Sequence, residues 1–318
     1  MKTKKSSFPI DEKKVRYSEW SFLMQILFKI IFSTIVLFML SHCAIKENQL
    51  RAIEKFGKTT EEISDLSAKE LIRMRESTIT MNLELLKLGT NTPGKPNPNN
   101  LDEALDPQSL TLRLKSILAL RSYGLLLLSL ARQDSAGDIT RAAGNFLDNL
   151  DSLTPETKKF DSEKKANFLK NISFFTSIFT SYQKKAALKE IITGSKPQVD
   201  ILCELLSMEF DYKKGKRMSL QYQVTTDRLI ISSDEVLDME TDRSIKNTAL
   251  YAMHLATENK KIRENLHLKI SDTFQELKKS NAELTAAFLE ERIEMDDIKD
   301  FIQKTKTIEE LTRVMTKR

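Results

Sequence analysis

The chain has 318 residues, 40% of them hydrophobic and 30% charged, with 8 glycines, 7 prolines and one tryptophan. So few turn-formers disfavour sheet-rich folds and favour long helices, and a net charge of +5 spread over both signs implies no nucleic-acid partner. Three histidines and two cysteines leave little for acid–base or thiol chemistry and argue against a disulfide framework.

The first element is apolar. No residue between Ile30 and Leu40 is charged, which suits the core of an export signal of about 7–15 residues. Lys2, Lys4, Lys5, Lys13, Lys14 and Arg16 precede it against Asp11, Glu12 and Glu19, and Lys29 closes that basic region, so the N-terminus is expected on the cytoplasmic side. Leu40-Ser41-His42-Cys43 then resembles the lipobox of bacterial lipoproteins. That resemblance implies lipidation of Cys43 through its sulfur and removal of the residues before it; His42 stands where the family carries Gly, Ala or Ser. A second reading keeps residues 22–45 as an uncleaved transmembrane helix, long enough for the roughly 30 Å hydrocarbon core, with Lys29 snorkelling beside Trp20. A third, a buried core helix, conflicts with the unbroken apolar run. The first two readings place residues 44–318 outside the cytoplasm.

After Cys43 the helical period dominates. Leu50, Ile53, Phe56, Thr60, Ile63, Ser67, Leu71, Met74, Thr78, Met81, Leu85 and Leu88 recur at gaps of three and four, which predicts one long helix ended by Gly89. Thr60, Ser67 and Thr78 thin its stripe, favouring a bundle with small residues at close crossings over a free-standing coiled coil. Pro93, Pro96 and Pro98 mark a Pro/Asn-rich linker over residues 90–106. Asp106-Pro107 reads as an N-cap followed by a proline at the first helical position. The helix it opens, from Leu110 to Leu130, is apolar around most of its circumference and is expected to be the central one; Arg113, Lys115 and Arg121 weigh against a second membrane span.

Gly137 is expected to end that helix, and Asp138 to cap a short one through Phe146, Leu147, Leu150 and Leu153. Thr154-Pro155 repeats the cap-then-proline signal for a second long helix. Its seam includes Phe160, Phe168, Ile172, Phe175, Phe179, Tyr182, Ala186, Lys189 and Ile192, broken at residues 194–197 by Gly194 and Pro197. The pattern resumes from Val199 to Leu229, with Gly215 marking a kink or break. Leu229-Ile230-Ile231 before Ser232-Ser233-Asp234-Glu235 is expected to be a helix end followed by a new cap. Leu250, His254, Ile262, Leu266, Ile270, Phe274, Leu277, Leu284 and Phe288 continue the period over residues 236–260 and 262–291, and a last amphipathic helix carries Ile298, Phe301, Ile302, Ile308, Leu311 and Met315. No fixed repeat recurs, so the expected fold is all-α: an elongated antiparallel helical bundle over residues 44–318, after a signal or membrane-anchor segment over residues 1–43.

No catalytic, cofactor-binding or metal-binding constellation is found. The sequence holds no Gly-rich phosphate loop, Gly-x-Ser-x-Gly elbow, His-Glu-x-x-His or Cys-x-x-Cys. His254 and His267 have no ligand-spaced partner, Cys203 reads as a small buried residue, and the carboxylates at Glu290, Glu291, Glu294, Asp296 and Asp297 read as a solvated face. The runs at residues 118–131 and 142–150 are similar to a pattern in all-helical bacterial envelope lipoproteins without a known active site. Together with the lipobox this resemblance implies a membrane-tethered bundle facing the periplasm or exterior, with no cofactor. Its expected role is structural or interactive, with an envelope protein or a second copy (a homo-oligomer) as partner. The alternatives are a sensor-type module binding a small ligand between helices, held by an uncleaved anchor, and an enzyme with an unrecognised site.

Overall fold

A computed structural model describes residues 47–89, 95–132, 134–153, 181–213, 218–289 and 296–316. The described residues are helical, with no strand among them, as the composition predicts. Residues Lys46–Arg318 form one compact unit. The expected membrane segment, Cys43 and residues 154–180 of the helix expected after Thr154-Pro155 lie outside the described residues.

Helix α1, Glu47–Leu88, follows its predicted seam closely: every expected position from Ile53 to Leu88 is buried. Gly89 stops it in the left-handed region at φ +65, which glycine enters without steric cost. The later part of the linker is fastened to the end of α1. Asn82 Nδ2 donates to the Leu101 carbonyl at 2.7 Å, Arg75 pairs with Asp102 at 2.8 Å, and Leu105 is buried in the 3₁₀ turn Glu103–Leu105. Asp106 then caps α2, Pro107–Arg132, its carboxylate accepting from the backbone N–H of Gln108 and Ser109.

Helices α1 and α2 run antiparallel in the most extensive contact among the described helices. They approach backbone to backbone at Gly57 and Gly124: a Cβ built on either glycine would stand 2.6 Å from the other's carbonyl oxygen. This is the close crossing expected from small residues; glycine makes the closest approach, and Thr60 of the seam lies beside it, its Cβ 3.0 Å from a Cβ built on Gly124. Helix α2 is long and apolar enough to cross a membrane by length and composition, yet 67% of its most apolar window is buried within the protein. Two of its arginines are neutralised by other helices: Arg113 pairs with Glu209 at 2.8 Å, and Arg121 with Glu61 and Asp65 at 3.1 and 2.8 Å. The soluble-core reading of this helix accounts for both facts. The organising element is nevertheless α1 rather than α2, because α1 touches the helices of both ends of the unit.

Helix α2 ends at Arg132, and Gly137 lies inside the next helix, α3, Ala136–Asp151. Its cap is Ser135, whose hydroxyl accepts from the Asp138 N–H at 3.3 Å and donates to the Asp138 carboxylate at 2.6 Å, so Asp138 stands at the third helical position as the partner of the cap and not as the cap. Helix α4, Ser181–Phe210, runs straight through Gly194 and Pro197 where a break is expected. A proline there costs about 3 kcal/mol, but Ile191 and Ile192 before it and Val199, Leu202 and Leu206 after it are all buried, and that burial outweighs the lost hydrogen bond. The expected seam positions Ala186 and Lys189 are half-buried and exposed, while Ala187 and Leu188 are buried.

Helix α5, Met218–Met239, continues through the expected cap at Ser232, because Ser232 and Ser233 are buried on its inner face and the true cap is Asp242, whose carboxylate accepts from Ser244 and Ile245. Gly215, where a kink or break is expected, lies outside the described residues. From Arg243 the chain is helical without interruption to Leu289, as α6 (Arg243–Ile262), a π-helical turn (Arg263–His267) and α7 (Leu268–Leu289). At about 1.5 Å per residue this rod reaches roughly 70 Å. In α6 the core face is Ala249, Ala252, Ala256 and Asn259, whereas Leu250 and His254, the expected seam, are exposed. In α7 the expected Ile270, Phe274, Leu277, Leu284 and Phe288 are buried. Helix α8, Asp296–Thr316, folds back along α7 and also touches α1, burying Ile298 and Ile308.

The rod Arg243–Leu289 lies antiparallel to α5, through Tyr222 and Asn259, and to α4, through Ser207 and Ser271. Helices α4 and α5 therefore follow one another in the same direction along it, with their junction at residues 211–217. Helix α1 runs antiparallel to the rod but parallel to α5, whose Thr226 meets Met81. At the α2 end, Tyr123 packs edge-on to Phe56 and against Phe146 while its hydroxyl donates to Asn281 at 2.6 Å, tying α1, α2, α3 and α7 together.

Candidate functional site

The π-helical turn sits opposite the α4–α5 junction and beside the middle of α1, and a buried polar node forms where the three meet. A π turn is wider than an α turn, and here it carries Arg263, Leu266 and His267 inward together. His267 is 0% exposed. Its Nε2 lies 2.6 Å from Glu70 Oε1, and Glu70 in turn accepts from Arg73 at 2.5 and 2.8 Å. The imidazole packs on Tyr222 and Phe210, with ring centroids 5.2 and 6.0 Å away. Tyr222 donates its hydroxyl to Asn259 at 2.5 Å.

One turn earlier, Arg263 is equally enclosed. Its guanidinium stands over the Tyr212 ring at 5.3 Å, pairs with Asp227 at 3.3 Å and approaches the Gln223 carbonyl. Tyr212 belongs to the junction itself. Two inward side chains of the π turn thus hold the two sides of the α4–α5 break, Arg263 through Tyr212 and Asp227, His267 through Phe210 and Tyr222. With Nε2–H donating to the carboxylate, His267 Nδ1 faces no hydrogen-bond partner among the described residues.

Burial alone would push the Glu70 carboxyl up, but the hydrogen bonds and charges of His267 and Arg73 outweigh it and hold Glu70 below its ordinary value. Arg73, pressed down by burial, is raised on balance by Glu70. Burial drives the Tyr222 hydroxyl well above its usual range, so it remains a donor. Because Glu70 titrates lower in the folded state than in the unfolded one, its contribution is complete above the unfolded value of 4.5 and is lost as pH falls through the depressed folded value. In urea titrations at about pH 7 and about pH 3, the native chain is expected to lose more stability than Glu70→Gln does, the difference closing on the acid side.

The node is closed rather than cleft-like. Among the described residues no group of three or more His, Cys, Asp or Glu side chains is placed to hold a metal ion. A surface depression follows the first turns of α2, lined by Gln108, Ser109, Thr111, Leu112, Arg113 and Lys115, and brings no acid, base and nucleophile together. His254 is exposed on α6. Cys203 is fully buried, and burial, with Asp200 and Glu204 nearby, pushes its thiol up. Cys203 is therefore expected to resist a maleimide in the folded chain and to react only after denaturation. Of the other residues singled out in the sequence, Cys43 and the carboxylates Glu290, Glu291 and Glu294 lie outside the described residues.

Sequence reasoning passed over the Glu70–His267 pair. The signal available was Glu70 one position from Leu71 on a buried seam, since a carboxylate on a core face requires a partner. No protein-family model matches this chain, no characterised protein is detectably similar to it in sequence, and no solved structure is detectably similar to its fold.

Proposed function

We propose that this chain is a membrane-tethered bacterial envelope lipoprotein, its helical bundle outside the cytoplasm in a structural or protein-interaction role. The observation that carries the proposal is the place of Cys43. It closes an uncharged apolar run in a lipobox-like tetrad, and the compact unit starts at Lys46 with α1 at Glu47. Removal of everything before Cys43 would take nothing from that unit, and a lipid on its sulfur would moor α1 directly at a bilayer surface. A structural or interactive role, not catalysis, agrees with a buried histidine engaged by Glu70 and with large apolar side chains left on the outer faces of α5 and α6.

Counting thiols in the denatured full chain from native membranes tests the anchor. One reactive thiol, Cys203, is expected if the sulfur of Cys43 carries a thioether-linked lipid; two thiols would favour the uncleaved transmembrane anchor and the sensor-type reading that goes with it.

A further inference from the structure

The α5–α6 hairpin divides its large apolar residues between two faces. Its buried face carries Met218, Tyr222 and Leu229 from α5, but α6 contributes only Ala249, Ala252, Ala256 and Asn259, and Thr226, Ser232 and Ser233 fill the rest. Its outer face carries Leu220, Val224, Ile231, Leu250 and Tyr251, of which Ile231, Leu250 and Tyr251 each keep 55% exposure. An amphipathic helix buries its large apolar residues in the core when the core is all it has to cover; this arrangement leaves them for a second surface.

The hairpin is also divided by charge. The end of α5 exposes Asp234, Glu235 and Asp238, and the start of α6 carries Arg243 and Lys246. The register set by Tyr222 and Asn259 places Ile231 level with Leu250, Glu235 with Lys246, and Asp238 with Arg243. No ion pair within the hairpin joins these acids to these bases among the described residues, and a partner of one charge sign would match only one of the two helices.

We propose that a second copy of this chain covers this face, the two hairpins being related by a two-fold axis that runs along them. Such a rotation exchanges the helices and preserves the level of every residue. It lays α5 of one copy over α6 of the other, sets Ile231 against the second copy's Leu250, and brings the acidic turn over the basic one. The alternative two-fold, perpendicular to the helices, lays α5 on α5 with the levels reversed, so the acidic end of α5 no longer meets the basic start of α6. The four helices then form a bundle with the large side chains inside. This deepens the interaction role proposed above and rests on it, while anchoring is read separately through Cys43.

The test uses the full chain in membranes, with a photoreactive benzoylphenylalanine in place of Tyr251 and a mixture of isotopically light and heavy copies. The expected product has twice the chain's mass, contains light–heavy pairs and is linked to α5. In that background Ile231→Glu is expected to abolish the product. Glu235→Lys with Asp238→Lys is expected to abolish it too, with recovery when the second copy carries Arg243→Glu and Lys246→Glu. Ile231, Glu235, Asp238 and Arg243 are exposed and Lys246 is half-buried, so retained helicity separates loss of pairing from loss of folding. An adduct to a different protein, irradiation that yields only single chains, or charge reversal without effect would overturn the proposal, whatever the state of Cys43.

Discussion

Glu70→Ala is expected to lower the unfolding free energy by about 3 kcal/mol, a large share of the 5–15 kcal/mol typical of a domain. The carboxylate is the common acceptor for His267 and Arg73. Arg73 keeps 32% of its side chain exposed and can turn to water, but His267 is 0% exposed and cannot. The cost therefore comes mainly from a buried N–H left without an acceptor and from the space the side chain vacates. Glu70→Leu combined with His267→Leu removes both polar partners and is expected to recover part of the loss. Denaturant midpoints of the three chains decide the matter: a double variant as unstable as Glu70→Ala would show that the pair's worth lies in shape alone.

Gly57→Ala and Gly124→Ala are each expected to destabilise the chain by about 2–3 kcal/mol. Helix propensity works the other way, favouring alanine by roughly 0.5–1 kcal/mol. Sterics win because the new Cβ would meet backbone, 2.6 Å from a carbonyl oxygen, and no rotamer change relieves a backbone contact. The two helices would have to separate along their whole contact. Gly144 and Gly194 supply the control: both are helical with nothing within 4 Å of a built Cβ, so alanine there is expected to stabilise by roughly 0.5–1 kcal/mol. The same substitution thus carries opposite signs at two pairs of positions, and thermal or urea melts of the four variants read it directly.

Much of the fold is legible from side-chain size. In α1 and α7 most large apolar residues are also the buried ones, Ile72, Leu83 and Leu289 excepted, so a search for gaps of three and four finds the core face from Ile53 to Leu88 and from Ile270 to Phe288. The same search misreads α6, where alanines are buried and Leu250 and Tyr251 face outward. Local breakers mislead at Pro197 and Ser232 for a related reason: tertiary burial on either side of them outweighs a cost of a few kcal/mol in the backbone. The node was the least legible part. Glu70 and His267 lie 197 positions apart, and their meeting depends on a rod that turns through a π-helical segment opposite a break in its neighbour. No periodicity in one segment encodes that coincidence; what remains visible in sequence is only a charged residue on an otherwise apolar face.

The same distinction applies to function. Residue identity alone marks Cys43 as a candidate for lipidation, and the folded unit beginning at Lys46 is compatible with cleavage before it. The most direct measurement is the intact mass of the chain extracted from native membranes. A polypeptide that starts at Cys43 and carries acyl mass on it is the expected result; a polypeptide that retains Met1 with an unmodified cysteine would contradict lipidation, and its recovery from the soluble fraction would remove the tether altogether.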